Sequence, residues 1–131
     1  MPMRGVPPRY PTQAAIDSLA ARFDLPNFPD MQDWAVIVAD PARLDEFIEA
    51  YDSGELSDDE RFVLMETILQ SFEELPAPLD SDPRWTRVLD TIGRDIALHA
   101  CTMEYWSVPD SEGPEEQFRV TPDIRAMLAK H

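Results

Sequence analysis

His99 is the residue whose type most invites a chemical reading, because an imidazole can carry a proton near neutral pH. Asp95 precedes it by four residues and Thr102 follows it by three, so on a helix the three side chains would share one side. A carboxylate, an imidazole and a hydroxyl are the parts of a nucleophilic triad, but a triad is defined by geometry and not by spacing. The chain places no strained nucleophile turn and no oxyanion donor beside them. His99 also falls between Ile96 and Met103 on an apolar stripe, where a histidine serves as a core residue satisfied by a neighbour. No catalytic residue is assigned, and the protein is expected not to be an enzyme.

Metal chemistry fares no better. His99 and Cys101 are two residues apart, which on a helix turns them to nearly opposite sides, whereas a chelating pair needs a spacing of three or four. The other histidine is the C-terminal His131. A calcium loop begun at Asp52 would put Gly54 and Leu56 where oxygen ligands belong, and Asp80-Ser-Asp82 runs straight into Pro83. The four glycines are scattered, so no phosphate cradle is available. No metal and no cofactor is expected.

The elements that would position these groups are helical. Thr12 caps a short helix through Phe23, with Ile16, Leu19, Ala20 and Phe23 inward. The β-branched run Trp34–Ala39 is too short to separate an extended segment from a buried helix. Asp40-Pro41 supplies an N-cap and a first-turn proline for a helix carrying Leu44, Phe47, Ile48 and Tyr51, with Gly54 just past its end. Ser57-Asp-Asp-Glu60 is a capping box, and the helix it opens runs to about Glu74 with Phe62, Leu64, Met65, Ile68, Leu69 and Phe72 inward. Glu66, Gln70 and Glu73 are expected to face away from that arc, and Pro76 and Pro78 stop the helix.

Asp82-Pro83 opens what reads as the longest helix, striped by Trp85, Val88, Leu89, Ile92, Ile96 and Met103 and ending near Ser107. Leu98, Cys101 and Tyr105 make its second half apolar all round, which predicts a central helix. Thr121-Pro122 caps a last helix with Ile124, Met127 and Leu128 inward. The sum is an all-α fold: a compact bundle of four to five helices, with room for one short extended segment near 34–39. Residues 1–11 read as a flexible Pro-rich tail, and 12–131 as a single helical domain of ordinary size.

Composition narrows the function. Hydrophobic residues make up 44% of the 131, too many for a disordered acidic tail. The single cysteine excludes an intramolecular disulfide framework and fits a reducing compartment. The N-terminus lacks the apolar core of a secretion signal and no run reaches a membrane span, so the expected location is the cytoplasm. The net charge is −15, and Asp40–Asp82 holds 14 acids against only Arg43 and Arg61. Acidic outer faces on helices aid solubility, but ordinary solvated faces mix signs. A field of one sign repels nucleic acid and anionic membrane and favours a basic partner.

Several separated stretches also share an order with a known group. They are Glu46-Phe-Ile-Glu-Ala-Tyr51, the run from Leu56 to Phe72, His99, Glu104-Tyr-Trp-Ser107, Phe118-Arg-Val-Thr-Pro122 and Ile124-Arg125. In this order, over about Trp34 to Leu128, the chain resembles the small acidic α-helical immunity-type proteins of bacterial polymorphic-toxin loci. The resemblance implies a cognate toxin or effector domain inhibited by stoichiometric protein–protein binding; the acidic field adds the expectation that its active site is basic, and the protein is expected to be a monomer or weak homodimer.

The expected contact surface is the acidic helix–turn–helix around Asp45, Glu49, Asp52, Glu55, Asp58 and Asp59. The loop with Asp110 and Glu112 is a second candidate, and Trp106 an aromatic anchor if exposed. Rival readings are a dimeric acidic effector or secretion chaperone, and a mimic of nucleic-acid charge.

Overall fold

The computed structural model describes residues 8–29, 31–107 and 117–130. These residues form seven α-helices, two 3-10 turns and no strand, so the fold is all-α as its capping signals and periodicities predict. The count exceeds four to five for two reasons. Trp34–Ile37 settles as a one-turn helix, and the helix expected from Asp82 to Ser107 is two helices. Contacts divide the chain into two compact units: Tyr10–Glu74, and Leu75–His131 joined by Met1–Arg9.

Tyr10–Glu74 contains α1 (Gln13–Phe23), α2 (Trp34–Ile37), α3 (Leu44–Asp52) and α4 (Asp58–Glu74). The capping residues act as their chemistry requires. Thr12 Oγ1 accepts from the Ala15 N–H at 3.1 Å. Asp40 Oδ1 accepts from the Ala42 N–H at 2.9 Å, but opens a 3-10 turn, Pro41–Arg43, that leads into α3. Gly54 lies just beyond α3 at φ +78°, a conformation only glycine adopts without strain. Both halves of the capping box form: Ser57 N–H donates to Glu60 Oε1 at 2.8 Å, and Glu60 N–H to Ser57 Oγ at 3.1 Å.

The centre of this unit is α4, which packs against α1, α2 and α3. It buries Phe62, Val63, Leu64, Met65, Thr67, Ile68, Leu69, Ser71 and Phe72, so its apolar arc is wider than the stripe read from sequence. Two buried hydroxyls tie it to the segment around α2. Thr67 Oγ1 donates to the Ala35 carbonyl at 2.9 Å, and Ser71 Oγ accepts from the Asp40 N–H at 3.0 Å. Trp34 buries its ring and donates Nε1–H to the Pro26 carbonyl at 2.7 Å, closing the preceding loop on itself.

The other unit holds α5 (Pro83–Arg94), α6 (Ile96–Ser107) and α7 (Thr121–Leu128), in mutual contact. Asp82 caps α5 through the Arg84 N–H at 2.9 Å. The expected single helix breaks at Asp95, whose backbone (φ −105°, ψ 31°) leaves the helical region. The cause lies in Gly93 and Asp95: glycine weakens a helix interior, and aspartate favours its ends. The Asp95 carbonyl then accepts from Leu98 and His99 N–H groups and starts α6.

The expectation of a central helix in this second half also fails. α6 buries His99, Thr102, Met103, Trp106 and Ser107, while Tyr105 is 61% exposed. Thr121 does not cap α7. Its hydroxyl donates to the Trp106 carbonyl at 2.7 Å and accepts from the Phe118 N–H, joining α6 to α7. Trp85 Nε1–H donates to Asp123 Oδ2 at 2.7 Å and joins α5 to α7.

Candidate functional site

The acids and bases of the chain are not shared evenly between the two units. Tyr10–Glu74 has 16 acidic residues against Arg22, Arg43 and Arg61, a net of −13. Leu75–His131 with Met1–Arg9 has 10 acids against eight bases, a net of −2. Nearly the whole charge of the protein therefore belongs to the unit built around α4.

Within that unit the three arginines are engaged. Arg22 pairs with Glu55 at 2.7 Å. Arg43 grips Glu46 through Nε at 2.9 Å and a terminal nitrogen at 2.7 Å. It also donates to the Phe23 carbonyl and lies over the rings of Phe23 and Phe47, which meet edge-on at 5.1 Å. Arg61 pairs with Asp58 and covers the Tyr51 ring. Each cation is paired with a carboxylate of its own unit, and acids outnumber arginines there by 13.

All six residues expected on the acidic surface of this unit are exposed. Asp45, Glu49 and Asp52 recur at spacings of four and three along α3, on the side opposite its buried Phe47, Ile48 and Tyr51. Glu55 lies in the connection, and Asp58 and Asp59 occupy the first turn of α4. Glu55 and Asp58 also have structural work. Glu55 receives Arg22 from α1, and Asp58 receives Arg61. Glu60, which the sequence marks only as a cap, accepts from Ser18 of α1 at 2.5 Å as well. That bond, with the Ser57 N–H, holds the Glu60 carboxyl below its usual range. Glu46 is lowered by the hydrogen bonds from Arg43.

Trp106 is not an exposed anchor. It is 1% exposed, with its ring 4.5 Å from that of Phe118, because its position on α6 falls on the inward stripe with His99 and Met103. Its neighbour Tyr105 points outward instead. Asp110 and Glu112, and the acidic loop that contains them, lie outside the described residues.

His99 is 0% exposed and stands in the core of its unit. Cys101, half-buried, directs its thiol toward the Arg9 carbonyl at 3.9 Å. Among the described residues no group of three or more His, Cys, Asp or Glu side chains is arranged to hold a metal ion. No helix among them is long and apolar enough to cross a membrane.

Sequence reasoning missed two surface features. Phe28 is 67% exposed and Ile37 is 58% exposed, both on the loop and one-turn helix between α1 and α3. For Phe28 the signal was its place between Pro26 and Pro29. For Ile37 none was available while the segment was undecided between strand and helix.

No protein-family model matches this chain, and neither a curated protein nor a solved structure matches it.

Proposed function

We propose that this protein is an immunity-type protein, a non-catalytic partner that binds a cognate bacterial toxin and neutralises it at fixed stoichiometry. The observation that carries this reading is the segregation of charge. One helical unit holds a net −13, each of its arginines is paired with a carboxylate of the same unit, and Asp45, Glu49, Asp52 and Asp59 are exposed on α3 and the start of α4. Such a surface matches a basic active site. A toxin that acts on nucleic acid or nucleotides has one, and opposite fields speed encounter and fix orientation.

Inhibition of this kind needs no chemistry from the inhibitor. A rigid, oppositely charged face that excludes substrate is enough, and helices tied together by ion pairs and hydroxyl bonds suit that task. The protein acts where a toxin would reach its maker's own targets, in the cytoplasm, as a monomer or weak homodimer.

The test is to co-express the protein with the product of the neighbouring gene, purify any complex, and titrate the protein into that product's activity assay. Inhibition complete at a fixed ratio supports the reading. Binding without inhibition indicates a chaperone for the effector, and absence of binding refutes both.

A further inference from the structure

α6 is apolar on two sides, and His99, Met103 and Trp106 bury one of them. Leu98, Cys101 and Tyr105 follow one another at spacings of three and four, so they share a line on another side, with Ala97 next to Cys101. Leu98 and Cys101 are half-buried, whereas Ala97 and Tyr105 are exposed. Apart from His99, the helix carries no basic residue, and Glu104 is its one acid. Apolar side chains in such a row favour a cover over water.

One contact shows what lies on that side. Cys101 directs its thiol toward the Arg9 carbonyl at 3.9 Å, a link between residues 92 positions apart. Arg9 belongs to the unit of α5, α6 and α7, although Tyr10, the next residue, belongs to the acidic unit. The chain therefore meets α6 before it enters α1.

The residues before Arg9 are suited to the same surface. Met1–Arg9 carries Met1, Met3 and Val6, two arginines and no acid, in a protein whose acids outnumber its bases by 26 to 11. Pro2, Pro7 and Pro8 have no N–H to leave unbonded on an apolar surface, and they favour an extended chain. An extended chain from Met3 to Arg9 reaches about 20 Å. Leu98 to Tyr105 takes up about 10 Å of helix. Met3 and Val6 can therefore lie on the row while Arg9 stays at Cys101, and Arg4 brings a cation to the helix that holds Glu104.

We infer that residues 1–8 are an internal strap, lying along this side of α6 and covering Leu98 and Cys101 with Met3 and Val6. The stretch that its prolines mark as a tail is thereby a structural part of the α5–α7 unit. The inference does not rest on the immunity reading.

Cys101 is the single cysteine, so it reports on its own cover. Its reaction with dithiobisnitrobenzoate is timed by absorbance in the full-length protein. In Met3→Ser/Val6→Ser the rate is expected to rise about tenfold, the effect of losing the burial of one or two apolar side chains. Circular dichroism and melting should remain those of the wild type. Met3→Leu/Val6→Ile keeps the apolar surface and should react at the wild-type rate. If the serine variant melts lower, Val6→Thr, which keeps the branched Cβ, carries the same expectation at reduced size.

A wild type that reacts as fast as the serine variant, or a leucine–isoleucine variant as fast as the serine one, would overturn the strap. These rates involve no partner, so the strap and the immunity reading can fail independently.

Discussion

Thr67 is the residue through which α4 holds the segment that the sequence leaves unassigned. Replacing it with valine keeps the side-chain volume and removes one hydroxyl. The bond lost is Oγ1–H to the Ala35 carbonyl, 2.9 Å long and fully buried. A buried carbonyl deprived of its donor costs about 1–3 kcal/mol, and the added methyl recovers part of that by burying apolar surface. The expected net loss is about 1–2 kcal/mol. For a protein of this size that is a fall of about 5 °C in Tm, or about 1 M in the urea midpoint.

Ser71→Ala acts on the same segment from one turn further along. It removes the acceptor of the Asp40 N–H and should cost a similar amount. Urea unfolding followed by circular dichroism gives the two losses. Hydrogen exchange gives the locus, since the Ile37 and Val38 amides, bonded to the Asp33 and Trp34 carbonyls, should exchange faster in both variants. Variants that both lie within about 0.5 kcal/mol of wild type, a margin typical of inert surface changes, would refute the role given to these hydroxyls.

Three further outcomes are expected. Ser57→Ala removes one half of the capping box at α4 and should lower stability by about 1 kcal/mol in urea titration, while Ser57→Asp, also a good cap, should lose little. Glu66 has its carboxyl raised, first by desolvation and then by the charge of Asp33, so its ionised form opposes folding. The folded state therefore gains from its protonation. Glu66→Gln should melt higher than wild type at pH 7, and that advantage should shrink as pH falls through the raised range of the folded carboxyl and be gone below the ordinary glutamate value of about 4.3. Reversal of Glu49 and Asp52 to lysine should slow association with a basic partner and flatten its salt dependence, read by stopped flow, with the helical content unchanged.

What could be read from the chain depended on how local the physics was. Caps at Thr12, Asp40, Ser57 and Asp82 involve side chains and N–H groups two or three residues apart, and each forms in the structure. The break at Asp95 was hidden because the apolar stripe runs on through Ile96 and Met103, and periodicity outweighed the weaker signals of Gly93 and Asp95. Trp34–Ile37 was undecided because its conformation is fixed from outside, by Thr67 thirty-two residues away.

The acidic residues were legible as exposed, since their helices show which side turns inward. Their internal commitments were not, because Arg22 with Glu55 and Ser18 with Glu60 join residues far apart in sequence. Trp106 illustrates the converse. Three residues after Met103 and seven after His99, it falls on the inward stripe of α6, and packing against Phe118 completes its burial.

The concentration of charge in Tyr10–Glu74 has a consequence for the ions around it. Sixty-five residues fold to a radius of gyration of about 11 Å, from about 25 Å when unfolded. Folding therefore compresses a net −13 into a volume whose size is close to the Debye length at 0.1 M salt, about 10 Å. At 0.01 M the screening length grows to about 30 Å, and every excess carboxylate then feels all the others. The folded unit must gather a denser atmosphere of cations than its unfolded chain does. Its stability is tied to that atmosphere, whereas a unit of net −2 is nearly indifferent to it, so dilute buffer loosens one part of this protein selectively.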